Sequence, residues 1–269
     1  MLGSKALWMF ALAFAGAVQL SGCASLQGLE AGAPGADMVT ASDESEVRRR
    51  ARVRLQLASG YFEQGQTNVA LDELKQSLAI DPSFADAYNL RGLIYLRLND
   101  LRLAEDSFQR ALALNPREPD TLHNYGWMLC QQSRFPAAEE RFNQALGQPT
   151  YAGKAKTFMA QGLCRQRAGQ VALAEQSYSR SYELDPANPI TGYNLALLLY
   201  ERGEYPRAQF YIRRINNTEY ANAESLWLGI KVERRMNNQP AFEQLSEQLR
   251  KRFVQSPEYL ALERKAFDE

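Results

Sequence analysis

The feature that most constrains this chain is a repeat with a period of 34 residues. Pairs of identical residues stand 34 positions apart: Pro82 and Pro116, Gly92 and Gly126, Ala104 and Ala138, Phe108 and Phe142. The interval from Gly126 to Gly162 is 36 residues, which indicates a two-residue insertion near Gln148, and Ala174 and Ala208 are again 34 apart. The part of the chain after residue 50 is therefore built from copies of one structural unit.

Residues at fixed places within the period predict how each unit packs. Small residues recur in its first half, at Gly92, Gly126, Gly162 and Gly229, and again in its second half, at Ala70, Ala104, Ala138, Ala174, Ala208 and Ala241. Residues that favour tight turns separate the halves: Gly65, Asn99, Ser133, Gly169 and Gly203. This pattern and a 34-residue period are typical of the tetratricopeptide repeat, a pair of antiparallel helices, here named A and B.

The repeats predict an all-α fold of six units. Their boundaries are expected at 51–84, 85–118, 119–154, 155–188, 189–221 and 222–255, with a short capping helix within 257–268. Stacked units of this kind share one continuous core and curl into a superhelix with a concave groove. We therefore expect residues 48–269 to form one tetratricopeptide-repeat superhelix.

The beginning of the chain predicts export and lipid attachment. Lys5 and an apolar stretch over 6–19 precede Leu20-Ser21-Gly22-Cys23, which resembles the lipobox of bacterial lipoproteins. The apolar stretch is shorter than the roughly 20 residues that span a bilayer. We interpret residues 1–22 as a signal peptide and Cys23 as the lipidated residue; the alternative is an ordinary signal peptide with an incidental cysteine.

The segment that follows is expected to be a tether at the outer membrane. Residues 23–47 are rich in Ala, Gly, Ser and acidic residues and hold few large apolar side chains, so they predict a flexible linker. Ala24 and Ser25 follow the cysteine where an acidic residue would favour retention at the inner membrane. The predicted location is thus the periplasmic face of the outer membrane, through the lipid anchor.

Composition argues against several classes of function. Lys and Arg together number 31, as do Asp and Glu, so no net positive charge favours nucleic acid. The single histidine, His123, leaves little material for a catalytic triad or a histidine metal site, and no phosphate-binding glycine loop occurs. We expect a protein-binding scaffold, with no enzymatic activity, cofactor, metal or small-molecule substrate.

The groove of the superhelix is the predicted binding site. Positions of helix A that face the concave side give the predicted groove residues Asn89, Leu93, Leu96, Arg97, His123, Trp127, Gln131, Met159, Leu163, Tyr193, Leu197 and Tyr200. An apolar and aromatic stripe of this kind is typical of a surface that binds a polypeptide. The alternative is that tight curvature packs these side chains against one another. His123 is expected to be a polar residue of the groove or surface.

Two cysteines remain if Cys23 is lipidated. Cys130 and Cys164 lie in the A helices of neighbouring units, and adjacent helices in an oxidising compartment permit a disulfide. The alternative is two buried free thiols too far apart to join.

Specific residue blocks resemble the type IV pilus biogenesis/stability lipoproteins. The blocks are His123-Asn124-Tyr125-Gly126-Trp127-Met128-Leu129-Cys130, Pro149-Thr150-Tyr151, Gly162-Leu163-Cys164, and Asn222-Ala223-Glu224-Ser225-Leu226-Trp227-Leu228-Gly229-Ile230. The resemblance implies six repeats and a disulfide between Cys130 and Cys164. It also implies a pilotin, a lipoprotein that binds secretin subunits and promotes their localisation and ring assembly in the outer membrane.

Two other functions stay open at this point. One is a tetratricopeptide lipoprotein of another secretin system, such as that of tight-adherence pili. The other is an adaptor that recruits cell-wall hydrolases at the outer membrane.

Overall fold

A computed structural model describes residues 44–267, which contain thirteen α-helices and, within that range, no strand. The helices are α1 Glu46–Glu63, α2 Thr67–Ile80, α3 Ala85–Arg97, α4 Leu101–Leu114, α5 Pro119–Gln131, α6 Phe135–Leu146, α7 Lys154–Arg167, α8 Val171–Leu184, α9 Pro189–Glu201, α10 Tyr205–Asn216, α11 Ala223–Arg235, α12 Gln239–Arg252 and α13 Pro257–Glu263. The expected signal peptide, Cys23 and nearly all of the expected tether lie outside the described residues.

The helices pair as six A–B units in a tetratricopeptide superhelix, which confirms the predicted fold class. Each odd-numbered helix from α1 to α11 packs against the next helix in the chain, and α13 packs on α11 and α12. A helices of neighbouring units also touch, as α3 does with α5 and α5 with α7. No helix within residues 44–267 combines the length and apolar character needed to cross a bilayer.

The first helix begins earlier than the repeat pattern indicates. α1 starts at Glu46, ahead of the expected unit boundary at residue 51 and inside the expected tether. Ser45 explains this start, because its hydroxyl accepts a hydrogen bond of 3.1 Å from the backbone N–H of Arg48. The helix gains a further anchor where Arg48 forms an ion pair with Asp81 of the first unit.

The small residues of helix A meet aromatic rings of helix B. A Cβ atom at Gly162 would stand 2.6 Å from Cδ1 of Tyr178, a fully buried residue. Phe108 and Phe142, also fully buried, cover the equivalent glycines of units two and three. Glycine therefore allows the two helices of units two, three and four to approach closely enough to enclose a whole ring.

Residues in the left-handed region of backbone space close the A–B turns. The backbone φ angle is 76° at Gly65, 60° at Asn99, 59° at Ser133, 74° at Gly169 and 81° at Gly203. Such angles end a helix and reverse the chain, and glycine or asparagine adopts them at the lowest cost. The five predicted turn positions are confirmed, and Asn237, with φ of 53°, supplies the same turn in unit six.

Candidate partner-binding groove

A row of apolar side chains runs along the A helices α3, α5, α7 and α9. The row consists of Leu93, Leu96, Trp127, Met159, Leu163, Tyr193, Leu197 and Tyr200, and every member is half-buried. We call these eight residues the groove row. Half-burial means that each side chain has one part in the core and one part accessible on the surface of its A helix.

The buried part of the groove row supports the core. Leu93, Leu96 and Trp127 pack against the cluster that contains Phe108 and Phe142. Tyr193, Leu197 and Tyr200 pack against the cluster formed by units five and six. The sequence left two alternatives: these residues form a surface that binds a polypeptide, or they pack against one another because the superhelix is tightly curved. Both alternatives therefore apply to the same residues. Packing holds the accessible part of each side chain in a fixed place, which lowers the entropic cost of binding a partner.

The polar residues Asn89, Arg97 and Gln131 of the predicted groove differ in the contacts that hold their side chains. The exposed Arg97 places its guanidinium 3.6 Å from the ring centre of Phe62 and donates a 2.6 Å hydrogen bond to the carbonyl of that residue. Asn89 accepts a 3.0 Å hydrogen bond from the amide of Asn124. Gln131 is exposed at the end of α5. Arg97 and Asn89 therefore join neighbouring A helices.

His123 does not lie in the groove, and the expectation that it is a groove or surface residue is wrong. Only 5% of its surface is exposed, and its Nδ1 atom is 2.9 Å from Oγ1 of the buried Thr157 on α7. Thr157 Oγ1 is also 2.9 Å from the hydroxyl of Tyr151. The three side chains form a buried polar chain between units three and four.

The two-residue insertion explains this burial. It lengthens the connection between α6 and α7, and Tyr151 in that connection folds inward until only 8% of it is exposed. Burial, together with a smaller effect of the positive charge of Lys156, lowers the pKa of His123 from 6.5 to about 3. His123 is therefore neutral at physiological pH.

Cys130 and Cys164 form a disulfide between α5 and α7. Their Cα atoms are 5.7 Å apart, within the range that a disulfide spans, and both residues are buried. The bond joins the A helices of units three and four, as does the contact between His123 and Thr157. The disulfide therefore holds together units three and four, the two units between which the insertion lies.

The sixth unit extends the aromatic surface beyond the predicted row. Nζ of Lys231 on α11 stands 5.3 Å from the ring centre of Tyr200 and 5.8 Å from that of Trp227. Burial lowers the pKa of Lys231. Sequence reasoning missed Lys231 and Trp227 as groove residues, because the groove positions were read only as far as unit five.

A pocket of about 480 Å³ opens at this end of the array, between the first turns of α9 and α11. Its walls include Ile190, Tyr193, Ile215, Tyr220 and Glu224. Burial raises the pKa of Tyr193, and the negative charges of Glu224, Glu258 and Glu201 act in the same direction. The pocket therefore combines apolar walls with one carboxylate, that of Glu224.

Three tetratricopeptide family models match the chain. A TPR repeat model matches residues 59–99, and two tetratricopeptide repeat models match residues 85–118 and 126–189. These ranges fall almost entirely within units one to four, in which the consensus residues are clearest.

Known proteins similar to this chain include two from type IV pilus systems. The type IV pilus assembly protein PilF of Pseudomonas aeruginosa is 29% identical over 255 residues, which are 93% of this chain and 95% of PilF. A solved structure of P. aeruginosa PilF superposes with a TM-score of 0.74 over 81% of this chain and 99% of that one. A structure of PilW, described as a widely conserved type IV pilus biogenesis factor, gives 0.71 at 28% identity over 80% and 98%.

More distant structures share the fold alone. YrrB, a TPR protein described as having an unusual peptide-binding site, has a TM-score of 0.56 at 16% identity, over 72% of this chain and 97% of that one.

Proposed function

We propose that this chain, a tetratricopeptide-repeat protein similar to the type IV pilus proteins PilF and PilW, acts as a lipid-anchored pilotin for secretin subunits. In this role it binds the subunits in the periplasm and promotes their localisation and ring assembly in the outer membrane. The fold and the similarity to PilF along nearly the whole chain support a role in pilus biogenesis. The secretin as partner and the membrane anchor are the proposed part.

The groove row is the observation that carries the proposal. Eight half-buried apolar residues on consecutive A helices offer a fixed apolar surface to an extended or helical segment of a partner. Such a surface loses water when a polypeptide covers it, and this supplies the free energy of binding. No chemical step on the partner is needed for this function.

The anchor is the second physical part of the mechanism. A lipidated Cys23 would hold the chain at the membrane, and several acyl chains on one residue give stable attachment where a single chain does not. A flexible tether between Cys23 and the start of α1 would let the folded part meet subunits at some distance from the bilayer. This arrangement raises the local concentration of subunits at the membrane that they enter.

Photo-crosslinking in cells tests the partner. Trp127 is replaced by benzoyl-phenylalanine, with the same replacement at Arg180 on the exposed side of α8 as the control. Secretin subunits captured from position 127 and absent from position 180 support the proposal. Capture of the secretin of tight-adherence pili, or of cell-wall hydrolases, would replace it with one of the other two functions. Equal capture from both positions would show that the groove row is the wrong surface.

A second experiment tests the anchor. The Cys23→Ala variant is expected to remain in the soluble periplasmic fraction and to leave the secretin outside the outer membrane. Incorporation of labelled palmitate into the native chain and its loss in the variant check the same point. A variant that fractionates with the outer membrane as the native chain does would rule out the lipid anchor.

A further inference from the structure

The outer side of α1 forms the N-terminal end of the repeat array. Its exposed residues, which we call the end face, are Arg49, Arg50, Arg52, Val53 and Leu57. The contacts of α1 with α2 and α3 use the other side of the helix, where its alanines are buried in the core of unit one. The end face is therefore a helix surface that no unit within residues 44–267 covers.

The arginines of the end face stand where a helix disfavours positive charge. They lie in the first two turns of α1, and the helix macrodipole already places partial positive charge there. Arg48 of the same helix is held by an ion pair with Asp81. Arg54 is likewise held by an ion pair of 2.8 Å with Glu73. Arg50 has no ion pair with any of residues 44–267, so an anion outside the array would stabilise it.

The end face also exposes aliphatic side chains beside these charges. Val53 is 53% exposed and Leu57 is 43% exposed, and the two lie about one turn apart on the helix. Arg49 precedes Val53 by one further turn and lies on the same side. Cations next to exposed aliphatic side chains are typical of a helix that lies at a membrane interface, where the apolar groups enter between lipid head groups.

The carboxylates near the end face leave an excess of positive charge. Glu46 forms an exposed ion pair of 3.0 Å with Arg49, and Glu44 lies just before the helix. An exposed pair of this kind contributes little in water, so Arg49 can exchange it for a lipid phosphate at low cost. The three arginines outnumber the two carboxylates, and the helix N-terminus adds to the positive potential.

We infer that the end face docks on the surface of an anionic phospholipid membrane. The three guanidinium groups would bind lipid phosphates, and the two aliphatic side chains would enter the head-group region. Docking would give the array one orientation, with unit one at the bilayer.

The inference rests on the proposed lipid anchor, which places a membrane within reach of α1. The segment between Cys23 and Ser45 has about 20 residues, and a flexible chain of that length spans about 25 Å. A surface held so close has a high effective concentration, so a weak electrostatic attraction is sufficient for docking. The anchor thus favours a membrane as the occupant of the end face over a protein that must diffuse to it.

Photo-crosslinking to lipid tests the inference. The full lipidated chain, with Leu57 replaced by benzoyl-phenylalanine, is placed on vesicles of phosphatidylcholine, either alone or with phosphatidylglycerol added. Mass spectrometry is expected to show about tenfold more lipid adduct on the anionic vesicles, because each arginine near an anionic surface strengthens binding. The same replacement at Arg180, on the exposed side of α8, is the control and should give a low yield on both. Equal yields from the two positions, or no rise with phosphatidylglycerol, would overturn the inference.

Charge variants locate the docking surface. Glutamine at positions 49, 50 and 52 together is expected to reduce the adduct yield at position 57 to that on neutral vesicles. Lysine at the same three positions should keep most of the yield, since an ammonium group also binds phosphate. The matched control places glutamine at Arg250, Lys251 and Arg252, in the last turn of α12, and should leave the yield unchanged. An unchanged yield with glutamine at positions 49, 50 and 52 would contradict docking by the end face.

The outcomes separate this inference from the proposed anchor. A chain that stays on neutral vesicles but gives no adduct at position 57 on anionic ones would keep the anchor and exclude docking. A chain without lipid that still gives charge-dependent adducts at position 57 would keep docking and exclude the anchor. Capture of a protein and no lipid from position 57 in cells would replace the membrane with an acidic protein surface and so overturn the inference.

Discussion

The ring of Phe108 lies so close to Gly92 that a Cβ atom on the glycine would stand 2.6 Å from the Cε1 atom of the ring. Phe108 is fully buried and cannot move aside without opening the core of unit two. We predict that Gly92→Ala lowers the free energy of unfolding by about 1–3 kcal/mol, the usual cost of overpacking a core. Chemical denaturation followed by circular dichroism measures this change.

Gly60 provides the matched control for that substitution. It also lies inside a helix, α1, but an added Cβ atom would meet no atom within 4 Å. Gly60→Ala should therefore raise the stability by up to about 1 kcal/mol, because alanine has the higher helix propensity. If both variants change the stability equally, close packing is not the reason for the glycine at position 92.

The second prediction concerns the disulfide. Reduction of the bond, or the double substitution Cys130→Ser with Cys164→Ser, is expected to lower the free energy of unfolding by about 3–4 kcal/mol, the chain-entropy value for a closed loop of this length. Denaturation of the native chain with and without a reducing agent measures the effect. The double variant should show no response to the reducing agent. If the double variant loses more free energy of unfolding than the native chain loses on reduction, the serine hydroxyls disturb the core.

The third prediction is a dependence of stability on pH. Because the pKa of His123 is about 3 in the folded chain and 6.5 in the unfolded chain, the unfolded state binds a proton first as the pH falls. The contribution of neutral His123 to the free energy of unfolding is fully present above about pH 6.5. It is lost progressively as the pH falls from there toward the folded-state pKa of about 3. From pH 7 to pH 5 the free energy of unfolding should fall by about 2 kcal/mol.

The single histidine makes this prediction easy to assign. Since the chain contains no other histidine, His123→Gln should remove most of the change between pH 7 and pH 5 while leaving the carboxylate titration at lower pH. Denaturation curves of both proteins at several pH values provide the comparison. The same slope in the variant would place the titrating group elsewhere.

The fourth prediction concerns a buried carboxylate. Glu233 is fully buried and accepts hydrogen bonds from Arg213 at 2.6 and 3.0 Å, from Gln209 at 2.8 Å and from Asn238 at 2.8 Å. We expect Glu233→Ala to cost about 3 kcal/mol of stability, since three partners lose their acceptor. Glu247→Ala, which removes an exposed ion pair with Lys251, should leave the midpoint of thermal unfolding almost unchanged. Thermal unfolding of the two variants separates a buried network from a surface pair.

The fifth prediction tests the groove row. Trp127→Ala and Leu93→Asp are expected to weaken capture of the partner in cells while helicity by circular dichroism stays near that of the native chain. Both side chains are half-buried, so a moderate loss of stability accompanies the change and must be measured separately. Secretin multimers at native levels in both variants would contradict a role for this surface.

Features set by local chain geometry were predictable from the sequence. The turn residues at Gly65 and Ser133, and the glycine under each aromatic ring, follow from positions within the repeat, and each acts on neighbours in its own unit. The burial of His123 was not predictable in this way. It results from Tyr151 in the insertion and Thr157 in the next unit, and the repeat pattern does not say which way an insertion folds.

The groove was predictable in position but not in extent. Spacing within helix A identified the half-buried residues from Leu93 to Tyr200, because helical periodicity fixes which side of a helix faces inward. Lys231 and Trp227 were missed because the consensus weakens in unit six. The start of α1 was missed because it depends on a cap by Ser45, outside the repeat.

The position of the disulfide has a mechanical consequence for the proposed attachment of the chain at its N-terminal end. In an array in which each unit touches only its neighbours, fraying begins at a terminus and moves inward one unit at a time. The covalent bond between α5 and α7 blocks the separation of units three and four. Under the proposed N-terminal anchor, a pulling force would unravel the first two units and α5 only as far as Cys130, where the covalent bond would carry the force directly to α7.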